Sequence, residues 1–245
     1  MPFGTLSVNA NGVPQFAPPY TTNTQNFTDV TLLKITYRVT SASIRHLVPD
    51  VLELEDEPLV STMLVNYGMS TVGAYKEYGM FTLSSYGYCL SLILNIQSAI
   101  SCGREQYGYP KRFGYVSFNM DTGSHIVRGH VERPVGQKLV NFNFAPPSLL
   151  PAVDQTITAL NLRVIPSPLA DQPPSVKELL PAVMEIKPKE VWLGSGSVSF
   201  PEPSAFDPLH ELEILRYEPA VLIRGATCVT SLLRCSSCEK LLANI

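Results

Sequence analysis

Strand-forming segments recur along almost the whole chain and leave little room for long helices. Val30–Arg38, Leu59–Tyr67, Tyr75–Leu83 and Gly87–Asn95 are rich in β-branched and aromatic residues, with partial alternation of apolar and polar positions. Val116–Asn119, His125–Val131, Leu139–Phe144, Ala159–Ile165, Glu190–Ser199 and Ala220–Leu233 continue the pattern. So many strands joined by short turns predict a mainly β chain of the α+β class. The expected form is an antiparallel closed sheet or barrel with a few short helices packed outside. Such an interior can hold a side chain out of water while one mouth stays open to a ligand.

Helical signals are few. Ser41–Leu47 reads as a short helix capped by Thr40 or Ser41 and stopped before Pro49. Ile96–Cys102 is another, with Gly103 as its stop. Val176–Glu185 has helical spacing interrupted by Pro181, and Asp207-Pro208 opens a last short helix through Leu215. Prolines 166, 168, 173 and 174 mark a loop rather than a domain linker, because the strand pattern resumes beyond them. The chain is therefore expected to form one domain over 1–245, with residues 1–26 as an extended arm.

A net charge of -3 supplies no basic surface for a phosphate backbone, so nucleic acid is not an expected partner. No apolar run reaches the ~18 to 20 residues of a membrane span, and Met1-Pro2-Phe3-Gly4 does not open a signal peptide. A soluble, cytoplasmic protein is expected. Five cysteines do not suggest a disulfide framework. Cys235 and Cys238 have the spacing of half a zinc site but only Cys228 near them, and His46, His125, His130 and His210 show no ligand spacing. Neither a metal nor a cofactor is expected.

The chemistry concentrates in Gly103-Arg104-Glu105-Gln106-Tyr107-Gly108-Tyr109-Pro110-Lys111-Arg112-Phe113-Gly114. A free lysine has a pKa near ~10.4, so roughly one in two thousand is a neutral amine at pH 7. A guanidinium about 6 Å away at an effective dielectric of ~20 would lower that by ~2 units, and desolvation among the aromatics would add to it. A neutral amine of this kind attacks ketones and forms a Schiff base. On composition alone, Lys111-Arg112 also reads as a solvated basic turn.

The order of several motifs decides between these readings. Ile35-Thr36-Tyr37-Arg38, Val48-Pro49, Asp56-Glu57-Pro58-Leu59-Val60 and Gly73-Ala74-Tyr75-Lys76-Glu77 come first. Gly103-Arg104-Glu105, Tyr109-Pro110-Lys111, Leu162-Arg163-Val164-Ile165-Pro166, Val191-Trp192-Leu193-Gly194 and Asp207-Pro208-Leu209 follow. In this order and spacing, over roughly residues 27 to 230, the chain resembles acetoacetate decarboxylase, an enzyme known for lysine activation by a neighbouring cation.

The resemblance implies that Lys111 is the Schiff-base lysine and that Arg112, in place of a second lysine, tunes it. It also implies that Glu77 is a pocket acid or base, either protonated or set back from Lys111 towards the substrate. Tyr75 and Tyr109 are expected either to shape the pocket or to pack the core, while Arg104 either lines the pocket or braces the turn. The family's carboxylate-binding arginine falls at Val30, and a second pocket glutamate near Met63. Those losses imply a more apolar pocket and a larger keto substrate; a substitute cation such as Arg38 or Arg163 would favour decarboxylation.

An imine at Lys111 would permit either loss of carbon dioxide from a β-keto acid or enamine chemistry such as aldol addition, dehydration or cyclisation. A non-catalytic small-molecule binder is the third reading. The resemblance also implies a homo-oligomer.

Overall fold

In a computed structural model of the chain, the described residues are 12–14, 16–21, 24–83 and 87–232. Most of them are strand: β1 Gln25–Val39, β2 Leu59–Ser70, β3 Tyr75–Thr82, β4 Cys89–Leu94, β5 Lys111–Phe113, β6 Tyr115–Met120 and β7 Val127–Glu132. β8 Lys138–Leu150, β9 Gln155–Ile165, β10 Val176–Lys187, β11 Glu190–Ser199, β12 Ile214–Tyr217 and β13 Ala220–Leu232 complete the set. Two short helices accompany them, α1 Ser41–Ile44 and α2 Gln97–Tyr107.

The mainly β architecture is as expected, but the sheet is not closed. Its main path runs β5-β4-β3-β2-β1-β13-β11-β8-β7-β6, with β10 and β9 branching from β13 and β12 lying against β1. No ladder joins β5 to β6, so the structure is a curled open sheet and not a barrel. All ladders are antiparallel except β4 with β5, where α2 makes the crossover.

Two apolar cores sit on opposite faces of β1 to β3. Leu33, Ile35, Tyr37 and Val39 alternate with Val30 and Leu32, and the two sets belong to different clusters. β2 does the same, Val60 and Leu64 going one way and Met63, Val65 and Tyr67 the other. Burial of both faces makes these strands nearly continuous apolar runs, which is why their alternation in sequence is only partial.

Several boundaries differ from the expected ones. The stretch 176–185 is not a broken helix but the start of β10, paired along its length with β9. Pro181 sits one residue before the first residue paired to β13, so it has a ladder neighbour on one side only. The helix from Asp207 shrinks to one 3-10 turn, Leu209–Glu211, before β12. The Asp207 carboxylate is engaged by Arg112 and Arg133 instead of capping that turn. Thr40 does cap α1, its side chain accepting from Ser43 N–H.

Helix α2 runs through Gly103 and stops at Gly108, whose φ of 69° is the left-handed conformation that glycine tolerates. Of the proposed N-terminal arm, Gln25 and Asn26 already belong to β1, and much of the rest lies outside the described residues. The Cys235/Cys238 pair also lies outside them.

Candidate active site

The face of the sheet carrying Val65, Tyr67, Tyr75, Glu77 and Leu92 is covered by α2 and by β9 and β10, enclosing a cavity of about 80 Å³. Its walls are mainly apolar, with Gln25, Thr230 and tyrosines as the uncharged polar groups, and among the described residues Lys111 and Glu77 are its only charged ones. They are 8% and 7% exposed. Lys111 Nζ lies 2.7 Å from Glu77 Oε2. Aromatic faces fill the rest of its surroundings: Nζ is 5.6 Å from the ring centroids of both Tyr75 and Tyr109.

Strand geometry brings these groups together. Glu77 points to the cavity because Tyr75, Glu77, Gly79 and Phe81 share one face of β3, while Tyr78 and Met80 lie in the opposite core. Lys111 opens β5 opposite Leu92 of β4 and inherits that face. Its aliphatic stem passes over α2 at Gly103, where an added Cβ would come within 2.6 Å of Lys111 Cε. Only glycine allows this approach.

The Tyr67 hydroxyl donates to Glu77 Oε1 at 3.4 Å. Burial first, and the Glu77 charge second, hold the Tyr67 and Tyr75 phenols well above their ordinary 10.0, so both remain protonated. Burial also pushes the Cys102 thiol, on the cavity wall, up to about 11.

Arg112 is not beside the amine. Adjacent residues of a strand face opposite ways, and Arg112 points to the other side of β5. There it pairs with the buried carboxylate of Asp207 at 2.5 Å and donates to Ser91 Oγ at 2.8 Å. Arg133 holds the other Asp207 oxygen, also at 2.5 Å. The expected side-by-side pair of cations does not form.

The remaining sequence candidates divide. Tyr75, Tyr109 and Met63 line the cavity. Val30 is buried in the same apolar cluster as Phe27 and Leu32 but, unlike them, does not line the cavity. Arg104 is exposed and, with Arg112 and Arg163, borders a second depression that shares Tyr109 and Lys111 with the cavity. Neither substitute cation reaches the cavity: Arg38 pairs with Glu55 at 3.2 Å, and Arg163 with Glu178 at 2.8 Å. Glu77, expected to be protonated or set back, is in direct contact with the amine. Sequence reasoning missed Tyr67 and Gly103. Tyr67 was within reach of it, lying at the same parity of β2 as Met63, whereas the local signal of Gly103 was that of a helix stop and did not point to its contact with the Lys111 stem.

The family model for acetoacetate decarboxylase matches residues 12–234. The chain belongs to the acetoacetate decarboxylase family. Among its relatives is Decarboxylase DEC1 of Cochliobolus heterostrophus, 38% identical over 88% of this chain and 90% of that protein. Acetoacetate decarboxylase of Clostridium botulinum is 27% identical over 82% of this chain and 84% of its own length. A solved acetoacetate decarboxylase superposes with a TM-score of 0.78 at 21% identity, covering 92% of this chain and 95% of that one. The enduracididine biosynthesis enzyme MppR, solved with the condensation product of pyruvate and imidazole 4-carboxaldehyde, gives 0.76 at 15% identity, covering 94% and 96%. Those two structures bear on the fold. Family membership and the decarboxylase relatives make the chain an enzyme of the carbon–carbon lyase type. Among the described residues no helix is long and apolar enough to cross a membrane.

Proposed function

We propose that the enzyme decarboxylates a β-keto acid bearing an apolar chain, through a Schiff base on Lys111. The observation that carries this reading is the buried contact between Lys111 Nζ and Glu77 Oε2, 2.7 Å long, in a mainly apolar cavity. A lysine and a carboxylate at that distance can exchange one proton without solvent. When a ketone enters, Glu77 takes the proton of the ammonium and leaves a neutral amine. The amine adds to the carbonyl carbon, and one amine proton passes to the oxygen. Glu77 then returns its proton to the carbinolamine hydroxyl, which departs as water and leaves the protonated imine.

The C–C bond to the carboxylate next breaks, its electron pair moving into the imine to give an enamine and carbon dioxide. Loss of water from around the carboxylate in an apolar cavity favours that step. Protonation at carbon and hydrolysis release the shortened ketone and restore Lys111. Tyr67, held as a phenol by burial, supports Glu77 whenever the latter is charged. The apolar lining by Leu32, Met63, Val65, Phe81, Leu92 and Met184 suits a hydrocarbon chain longer than a methyl group.

A second reading rests on a separate observation: no cation besides Lys111 lines the cavity among the described residues. The same imine could then lose a proton instead of carbon dioxide, and its enamine would serve aldol addition, dehydration or cyclisation. One experiment separates the readings. The enzyme is incubated with 3-oxooctanoate or heptan-2-one and reduced with borohydride, and carbon dioxide is measured in parallel. Decarboxylation predicts an adduct on Lys111 with both compounds and carbon dioxide from the acid. An adduct without carbon dioxide supports the second reading, and no adduct with either compound refutes both in favour of a binder.

A further inference from the structure

The cavity has Lys111 and Glu77 at one end and a different kind of polar group at the other. From Lys111 Nζ a row of aromatic rings leads along the sheet wall: Tyr75 at 5.6 Å, then Tyr67 with its ring centroid 4.6 Å from that of Tyr75, then Phe27 at 4.8 Å from Tyr67. On the α2 side Tyr109 lies 5.6 Å from Nζ, and the Tyr107 ring follows 6.1 Å from that of Tyr109. All five rings line the cavity. Both rows converge on Thr230. Gln25, two residues before Phe27 on the same face of β1, pairs with Thr230 of β13, and the Tyr107 hydroxyl donates to the Thr230 carbonyl at 3.4 Å.

Thr230 is 4% exposed and lines the cavity. Its hydroxyl Oγ1 is buried and has no hydrogen-bond partner among the described residues. The polar groups around it are already engaged. Gln25 Nε2 donates to Thr21 O at 3.1 Å, Gln25 Oε1 accepts from the Thr71 hydroxyl, and the Tyr107 O–H is directed to the Thr230 carbonyl. Across the ladder on the other side stands Met184 of β10, paired in turn with Ile157 of β9, and both line the cavity. A hydroxyl carries one donor and two acceptor sites, and burying it without a partner costs stability. Valine would fill the same space without that cost, so the chain keeps a polar group where packing asks for none. With no hydrogen bond fixing its χ1, the hydroxyl can turn to a ligand in the cavity.

We propose that the Thr230 hydroxyl binds an oxygen on the substrate's chain, so that the enzyme acts on a β-keto acid bearing a hydroxyl or second keto group remote from the carboxylate. The inference rests on the Lys111 imine reading and adds one polar contact to the apolar chain. The aromatic walls hold the hydrocarbon between the two ends, and the hydrogen bond at the far end selects the chain length and oxygen position that bring the ketone to the amine. A buried hydroxyl left unpaired discriminates against the plain hydrocarbon analogue. Thr230 touches the chain and not the reacting carbons, so it sets specificity and leaves imine formation to Lys111 and Glu77.

The test compares 6-hydroxyhexan-2-one, 8-hydroxyoctan-2-one and 10-hydroxydecan-2-one with hexan-2-one, octan-2-one and decan-2-one. Borohydride trapping on Lys111 is titrated with each, and binding to Lys111→Met, where no imine forms, is measured by calorimetry. At one of these lengths the hydroxyketone should reach half-maximal trapping at a roughly 10-fold lower concentration than its unsubstituted ketone. Thr230→Val should cut that advantage to less than about twofold and leave the unsubstituted ketones unchanged, whereas Thr230→Ser, which keeps the hydroxyl, should retain it. Thermal stability of Thr230→Val should equal or exceed that of the unmodified enzyme, because an unpaired buried hydroxyl is removed. No advantage at any length, or an advantage that survives Thr230→Val, overturns the proposal. A clear loss of stability in Thr230→Val also overturns it, by giving the hydroxyl a structural partner. If the hydroxyl preference appears in Lys111→Met but no ketone is trapped on Lys111 in the unmodified enzyme, the imine reading fails and the Thr230 contact stands; trapping without any preference does the reverse.

Discussion

Lys111 and Arg112 are neighbours in the chain and face opposite sides of β5. Lys111 enters the apolar cavity against Glu77, while Arg112 turns to Asp207. The two positive charges therefore have different counterions and different tasks. Lys111 is the proposed nucleophile. Arg112 helps hold the loop before the 3-10 turn, with Arg133 on the other oxygen of the same buried carboxylate.

Arg112→Ala should act mainly on stability. It leaves Asp207 with one cation in a site where the carboxylate side chain is fully buried. A loss of about 1–3 kcal/mol is expected in urea unfolding, with a much smaller change in the pH–rate profile. A displaced pH optimum with unchanged stability would return Arg112 to the role expected from sequence.

Gly103→Ala separates helix stability from function. Alanine is a better helix residue than glycine by about 1 kcal/mol, so α2 itself should gain. The new methyl would collide with the Lys111 stem and displace the amine from Glu77. Turnover should fall by about 10²-fold while circular dichroism and the unfolding midpoint are maintained. Activity equal to the parent would show that the stem can move aside.

Glu77→Gln removes the proton acceptor and keeps the shape. A decrease in kcat of roughly 10²- to 10⁴-fold is expected, with slower trapping of ketones at Lys111. Tyr67→Phe should cost only a few-fold, since its bond to Glu77 is long at 3.4 Å. The reverse ranking would make the phenol the principal proton donor.

The thiols give a test by pH. Cys89, Cys102 and Cys228 are buried, and burial raises all three above the ordinary 9.0, Cys102 to about 11 and Cys228 to about 12. The folded protein thus holds protons that the unfolded chain releases above pH 9. Stability is complete below that value and declines as pH rises towards 12. In a Cys235→Ser, Cys238→Ser background, a thiol reagent at pH 8 should modify the native protein far more slowly than the unfolded one. Rapid native labelling would show that α2 or the adjoining strands open readily.

Much of the site was legible before any coordinates. Tyr109-Pro110-Lys111, the Tyr75 to Glu77 pair and Met63 are local patterns, and the fold brings Tyr75, Glu77, Tyr109, Lys111 and Met63 to one cavity while Val30 stays outside its lining. Glu77 as a direct partner of Lys111 was not legible, since a contact between residues 34 positions apart depends on which strands are neighbours. The stop of α2 was misplaced for a related reason. Gly103 resembles a helix terminator, but its missing Cβ makes room for a side chain from a later strand.

By itself the sequence determined the β-rich class and the positions of most strands and singled out the lysine proposed to react, because residue propensity and motif spacing act over a few residues. The tertiary structure alone decided that the sheet stays open, that Arg112 serves Asp207, and that Glu77 touches Lys111. Those outcomes follow from ladder register and strand order. A shift of one residue in a ladder would turn each of these side chains to the other face.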